Sequence, residues 1–318
     1  MSPIGKNTTL AAQFLREGKL VAIPTETVYG LAALASDQKA ILSVFEAKKR
    51  PSFDPLILHF HSIEAIQPYA ELKEPALLKL AKRFWPGPLS LVLPKTALVP
   101  DLVTSGLEKV AVRIPDQPLT LSLLKELNAP LAAPSANPFG YISPTKAEHV
   151  RKQLGDKVAY ILDGGGCEIG LESTIVGIEN DKLCVYRLGG LSLEEIESCC
   201  GHAELKLNVS SNPKTPGQLK SHYAPKKTLF FGDLNTIMPL HKDKKLSVIC
   251  FGNFPNSIEL PKQLLNLSPS QNIKEAAMSL FAMLRAADES DTEVILAQKL
   301  PEKGLGRAIN DRLKRASV

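Results

Sequence analysis

No stretch of this 318-residue sequence approaches the ~20 consecutive apolar residues needed to cross a bilayer, so no membrane span is expected. The opening residues, MSPIGKNTTLAAQFLREGK, lack the long apolar centre of a secretory signal and read as an amphipathic helix. A cytoplasmic protein is the expectation. Cysteine is scarce, with only Cys167, Cys184, Cys199, Cys200 and Cys250. The count is odd and no CxxC pair occurs, which argues against a disulfide framework and against a zinc site. There is no internal repeat between the two halves, no GxGxxG, no Walker A loop and no GxSxG elbow. The glycine run DGGGC at 163–167 is followed by no Gly-Lys-Ser/Thr, so it reads as a turn rather than a phosphate loop.

What is present fits an ordinary globular chain, with 44% apolar and 22% charged residues. The length favours two domains. The net charge of +5 permits an anionic partner without requiring one. Up to about residue 190, short β-type runs alternate with helical patterns, as in mixed α/β domains. Strands are expected at 20–24, 56–60, 89–93, 110–114, 131–134, 158–163, 173–178 and 183–188. Helices are expected near 8–17, 37–49, 62–70, 74–84, 117–127 and 145–153. Residues 205–228 are rich in Ser, Pro, Lys and Asn and read as a linker between domains 1–204 and 229–318. A second α/β pattern follows, with strands at TLFFGD, LSVICFG and EVILAQ and helices near 271–287 and 305–316.

Polar residues collect where the predicted strands end. Thr25, Glu26 and Thr27 follow the first strand; a ligand-facing turn or a plain β-turn would use them alike. Asp37 caps the helix that ends in Lys48-Lys49-Arg50 before Pro51. Those cations offset the helix dipole and equally suit an anionic ligand. His59 and His61 lie two apart on one strand face, but no third ligand has matching spacing, so a metal site is not expected. Ser135 and Asn137 sit among small residues and prolines that let backbone approach a ligand. Ser135 has no partner base, which argues against a nucleophile. Arg113 and Arg187 stand at strand ends, where arginine grips carboxylate or phosphate with two prongs. Together these suit a nucleotide plus a small carboxylated substrate.

The segments PTETVYGL, AKKRP, PLILH, WPGPLSLVL, VAVRIP, APSAN, ESTIV and YRLGG, in this order, resemble the YrdC-like family of threonylcarbamoyl-AMP synthases. HYAP and GLGRAINDRLKRAS resemble its long, two-domain form. The resemblance implies an open twisted α/β sheet with a concave basic cavity, plus a smaller Rossmann-like domain. It implies synthesis of L-threonylcarbamoyl-AMP from L-threonine, bicarbonate and ATP with release of pyrophosphate. Mg2+ would accompany ATP, and a downstream transferase acting on tRNA would consume the product. It places Thr27, His59, Arg113, Ala133 and Ser173 around threonine. It places Arg50, Asp54, Lys109, Ser135, Asn137, Ser143, Arg187 and Tyr223 around ATP, with Lys48 and Arg50 neutralising phosphate charge. Asp54 stands where asparagine is common in the family, and Lys109 where a threonine aligns. Tyr223, in an otherwise featureless tether, is expected to fold back over the cavity. The competing reading is an RNA-binding module without turnover, which would need a continuous basic face.

Overall fold

The computed structural model describes residues 2–207, 222–255 and 259–318. Eleven strands form one large mixed sheet: β1 Ile4–Gly5, β2 Val21–Ile23, β3 Gly30–Leu34, β4 Ile57–His59, β5 Leu89–Pro94, β6 Lys109–Arg113, β7 Leu131–Ala132, β8 Tyr160–Leu162, β9 Thr174–Glu179, β10 Lys182–Arg187 and β11 Glu204–Leu205. Their spatial order is β1-β8-β2-β3-β7-β4-β6-β5-β9-β10-β11. Four parallel strands, β12 Thr228–Gly232, β13 Leu246–Cys250, β14 Gln263–Asn266 and β15 Val294–Gln298, form the second sheet in the order β12-β15-β13-β14. No helix among the described residues is long and apolar enough to cross a membrane.

The eight strands expected in the first domain all form. Three more join them. β3, Gly-Leu-Ala-Ala-Leu, has no β-branched or aromatic residue to announce a strand; pairing with β2 on one side and β7 on the other makes it one. The two-residue strands β1 and β11 exist only because β8 and β10 offer edges to pair with. The helix Leu193–Cys200 was also not expected. Its Ser192/Glu195 capping box was nonetheless legible as a Ser-x-x-Glu pattern. Of the expected linker, 208–221 lie outside the described residues, Leu205 belongs to β11 and Thr228 opens β12.

Strand alternation builds the site. In the parallel pair β4–β6, Leu58 is paired with Val112 and His59 with Arg113. Leu58 and Val112 are fully buried in the main core. Side chains alternate between faces, so Ile57, His59, Ala111 and Arg113 turn the other way, where Ile57 and Ala111 pack with Val92, Ile175, Cys184 and Tyr186. That concave face carries the cavity.

Two helices of the second domain lean on the first. Asp288 of helix Ile273–Glu289 accepts from the Tyr141 hydroxyl at 2.6 Å. Helix Leu305–Ala316 packs Ile309 and Leu313 into the common core. Midway along it Asn310 ties the helix to the segment that follows β15: its buried amide both accepts from Leu300 N at 2.9 Å and donates to Leu300 O at 2.8 Å. Asn310→Leu strands both backbone groups and is expected to lower stability by about 2 kcal/mol or more, read as a lower urea midpoint.

Candidate functional site

The cavity lies at the strand ends of the concave face. It is lined by Thr25, Thr27, Val28 and Gly30 after β2, by Arg50, by Pro55 to Ile57 and His59 of β4, and by Arg113 of β6. Ala133, Pro134 and Ser135 after β7, Glu172 and Ser173 before β9, and Arg187 of β10 complete the first domain's share. His222 and Tyr223, from beyond the undescribed stretch, close it. The free volume is about 50 Å3, room for a few water molecules.

Arginine–carboxylate pairs organise the wall. Arg113 Nη2 lies 2.6 Å from Glu26 Oε1, its Nη1 donates to Thr27 Oγ1 at 2.9 Å, and its Nε donates to Gly87 O at 3.2 Å. Glu26 Oε2 is buried and finds no hydrogen-bond partner among the described residues. His59 is 3% exposed and touches Ile57 O through Nδ1 at 3.2 Å. Burial, reinforced by the Arg113 charge, drops its pKa to about 3, so it is a neutral imidazole at physiological pH. Ser173 shares a 2.7 Å hydrogen bond with Ser90 and accepts from Arg187 Nη2 at 3.0 Å. Burial brings Arg187 down to about 10, which leaves it a cation.

The basic cluster owes its geometry to one residue. Helix Gln38–Lys48 is capped by Asp37, as its sequence announced, and Lys49 terminates it in the left-handed region at φ 53°. That turn sends Lys49 to solvent and both Lys48 and Arg50 inward. Lys48 Nζ donates to the carbonyls of Ser135 and Asn137. Burial, with Arg50 beside it, pulls its pKa well below the lysine range. Arg50 pairs with Asp54 at 2.9 Å, donates to Pro55 O, and stands over the Phe139 ring at 5.9 Å. Arg50 reaches the cavity wall; Lys48 braces the 135–137 loop behind it.

Lys109, Asn137 and Ser143, also expected at the site, stand further back. Lys109 is exposed at the outer end of β6, where Nζ donates to Ile178 O at 3.0 Å, so it is not part of the wall. The Asn137 amide donates to Pro138 O and Tyr141 O, and Ser143 Oγ donates to Glu172 Oε1 at 2.6 Å. Tyr223 is 1% exposed and adopts φ 66°. Its ring stacks on Phe281 at 5.7 Å and lies under the Arg312 guanidinium at 4.9 Å. His222 meets the edge of Phe139 at 5.6 Å, and its buried Nδ1 has no hydrogen-bond partner among the described residues.

Sequence reasoning assigned no role to Glu172 or Arg312. Arg312 is fully buried and comes from the second domain, with Nε 2.8 Å from Glu172 Oε2 and Nη2 donating to Leu188 O at 2.7 Å. The available signal was its position. Arg312 falls on the apolar stripe of Ile309, Leu313 and Ala316, where a charge needs a buried partner. Gly189 completes the contact: a Cβ there would lie 2.1 Å from Glu172 O, so the YRLGG turn passes the ESTIV strand at a distance only glycine allows.

The buried histidines set an acid limit on the fold. His59 and His222 both have folded pKa values near 3, chiefly through burial. The unfolded chain takes up protons near pH 6.5 and the folded one does not, so stability falls with acidification below that point. Each histidine should cost about 2 kcal/mol on going from pH 7.5 to 5. His222→Gln should remove its share of that slope in urea titrations at the two pH values.

Two sequence-family models cover nearly the whole chain. One, described as telomere recombination and comprising Sua5, YciO and YrdC proteins, matches residues 13–189; the other, described as the threonylcarbamoyl-AMP synthase C-terminal domain, matches 191–318. The chain is 42% identical to the threonylcarbamoyl-AMP synthase of Pyrococcus abyssi, over 97% of this chain and 93% of that protein. It is 39% identical to that of Bacillus subtilis, over 96% and 92%. The crystal structure of P. abyssi Sua5 complexed with L-threonine superposes with a TM-score of 0.92 at 39% identity, covering 99% of this chain and 97% of the other. With both of its domains matched and its fold shared, the chain belongs to the threonylcarbamoyl-AMP synthase family, in the two-domain form.

Proposed function

We propose that the protein makes L-threonylcarbamoyl-AMP from L-threonine, bicarbonate and ATP, releasing pyrophosphate. The observation that carries this is one cavity that joins a small polar pocket (Thr27, His59, Arg113) to a cationic wall (Arg50, Arg187). The first matches an amino acid and the second a polyphosphate. Threonine complexed with the P. abyssi relative supports the first half.

In this reading the Arg113 guanidinium, held in place by Glu26 and Gly87 O, grips the threonine carboxylate. Neutral His59, Thr27 and Ser173 orient the rest, with Ala133 supplying backbone. The threonine amine, its proton passed to solvent, attacks CO2, or bicarbonate with loss of water, to give the carbamate. The carbamate oxygen then attacks the α-phosphate and pyrophosphate departs. No protein nucleophile is needed; positioning and charge neutralisation carry the reaction. Arg50 and Arg187 face the phosphates, while Lys48 fixes the loop that presents Ser135. Mg2+ fits as a passenger of ATP. Among the described residues no group of three or more His, Cys, Asp or Glu stands together, and Glu26, Asp54 and Glu172 are each paired with an arginine. Phosphate oxygens and water would hold the ion. The product is a mixed anhydride, which a downstream threonylcarbamoyl transferase acting on tRNA would consume.

The free volume of about 50 Å3 is far below the ~300–1,000 Å3 of small-molecule sites. In this reading His222 and Tyr223 swing away for ATP and return over it, shielding the labile carbamate from water. Tyr223→Ala is expected to weaken ATP binding and to uncouple pyrophosphate release from product formation; unchanged values of both would remove the gate.

The decisive assay is threonine-dependent pyrophosphate release from ATP with bicarbonate and Mg2+. Wild type should require threonine, and Arg50→Ala should lose at least about 100-fold in rate, as when one charged transition-state contact is deleted. No release from wild type, with RNA still bound, would point to an RNA-binding module instead. Full release by Arg50→Ala would return the basic cluster to a purely structural role.

A further inference from the structure

We propose that Arg312, from the second domain, is a positioning residue of the nucleotide site: it neutralises Glu172 so that the wall next to Arg187 can accept a polyphosphate. The inference rests on the reading of the cavity as an ATP site.

A carboxylate is the wrong group to find in a wall meant for phosphates. Glu172 lines the cavity together with Arg187 and is 6% exposed. Left alone it would repel the nucleotide and capture Arg187, the cation expected to hold it. Both of its oxygens are instead engaged from behind: Oε1 by the Ser143 hydroxyl at 2.6 Å and Oε2 by Arg312 Nε at 2.8 Å. Arg312 and Arg187 together hold its pKa below the usual carboxylate range despite burial, so the charge is real and has to be balanced.

Arg312 does this from outside the cavity, since it is not among the lining residues. Its other contacts reach two further parts of the same wall. Nη2 donates to Leu188 O at 2.7 Å, next to Arg187 in the chain, and the guanidinium lies 4.9 Å from the Tyr223 ring centroid. Asp311, at 2.6 Å from Nη1, in turn holds Arg315 at 3.0 Å, which fixes the arginine's approach. One side chain thus ties Glu172, the β10 end and Tyr223 to the second domain. Arginine suits the task because its fork serves a carboxylate and a carbonyl at once while its face stacks on a ring.

The test uses the full chain, with affinity for ATP measured calorimetrically and KM for ATP and for threonine from pyrophosphate release. Arg312→Gln should raise Kd and KM for ATP about tenfold or more, the scale of an uncompensated like charge, and leave KM for threonine within about twofold. Adding Glu172→Gln to that variant should restore most of the ATP affinity, which a merely structural arginine would not allow. A folded Arg312→Gln protein with wild-type affinity for ATP overturns the proposal. So does a loss that Glu172→Gln fails to rescue, because the role is then packing against Tyr223. If Arg312→Gln alone does not fold, the double variant, which buries neither charge unpaired, decides: an ATP Kd within about threefold of wild type is expected, and a loss beyond about tenfold overturns it. Wild-type protein without threonine-dependent release would instead defeat the functional reading itself.

Discussion

The buried pair between Arg312 and Glu172 is the point where two domains become one site. Neither charge could be buried alone without a penalty of several kcal/mol. The pair therefore forces helix Leu305–Ala316 against the strand ends of the first domain. Around it, Ser143 and Leu188 O are held by hydrogen bonds and the Tyr223 ring lies under the Arg312 guanidinium. The same logic recurs at Arg113 with Glu26 and at Arg50 with Asp54. Each cation of the wall, or its neighbour, is held by an acidic partner behind it. A cavity wall can in this way keep several guanidinium groups close together without expelling them into solvent.

The rest of the cavity follows from a mixed sheet whose strand ends converge. Register places His59 beside Arg113, and the antiparallel turn from β9 into β10 returns Arg187 to Ser173. The rigid strands supply position, and the short segments between them supply polar groups. The linker contributes His222 and Tyr223 to the cavity lining from outside the first domain, and Phe281 and Arg312 of the second domain pack against the Tyr223 ring and hold it there.

Much of this was legible in the residues. Short β-type runs marked β4, β6, β9 and β10, and the arginines at the ends of β6 and β10 were readable as anion contacts. Asp37 and Pro51 framed the helix before the basic cluster. The roles of Lys48 and Arg50 were not separable from sequence, because they depend on Lys49 adopting the left-handed region and turning its two neighbours inward. Lys109 looked suited to an ATP contact by alignment alone; strand β6 carries it to the outer end, away from the wall. Strand β3 was hidden because its residues have no β preference and it forms through its neighbours.

Local chemistry could be read from the residues alone: which runs form strands, where helices start, which polar groups stand at strand ends, and the family those motifs resemble. Those are short-range consequences of side-chain period, capping and turn residues. Which charges face the cavity and which brace it became visible in the folded chain, as did the pairing of Glu172 with an arginine 140 positions away. Such pairings arise from burial, which forces a charge to find whichever partner the fold brings within reach, and no local pattern encodes that distance.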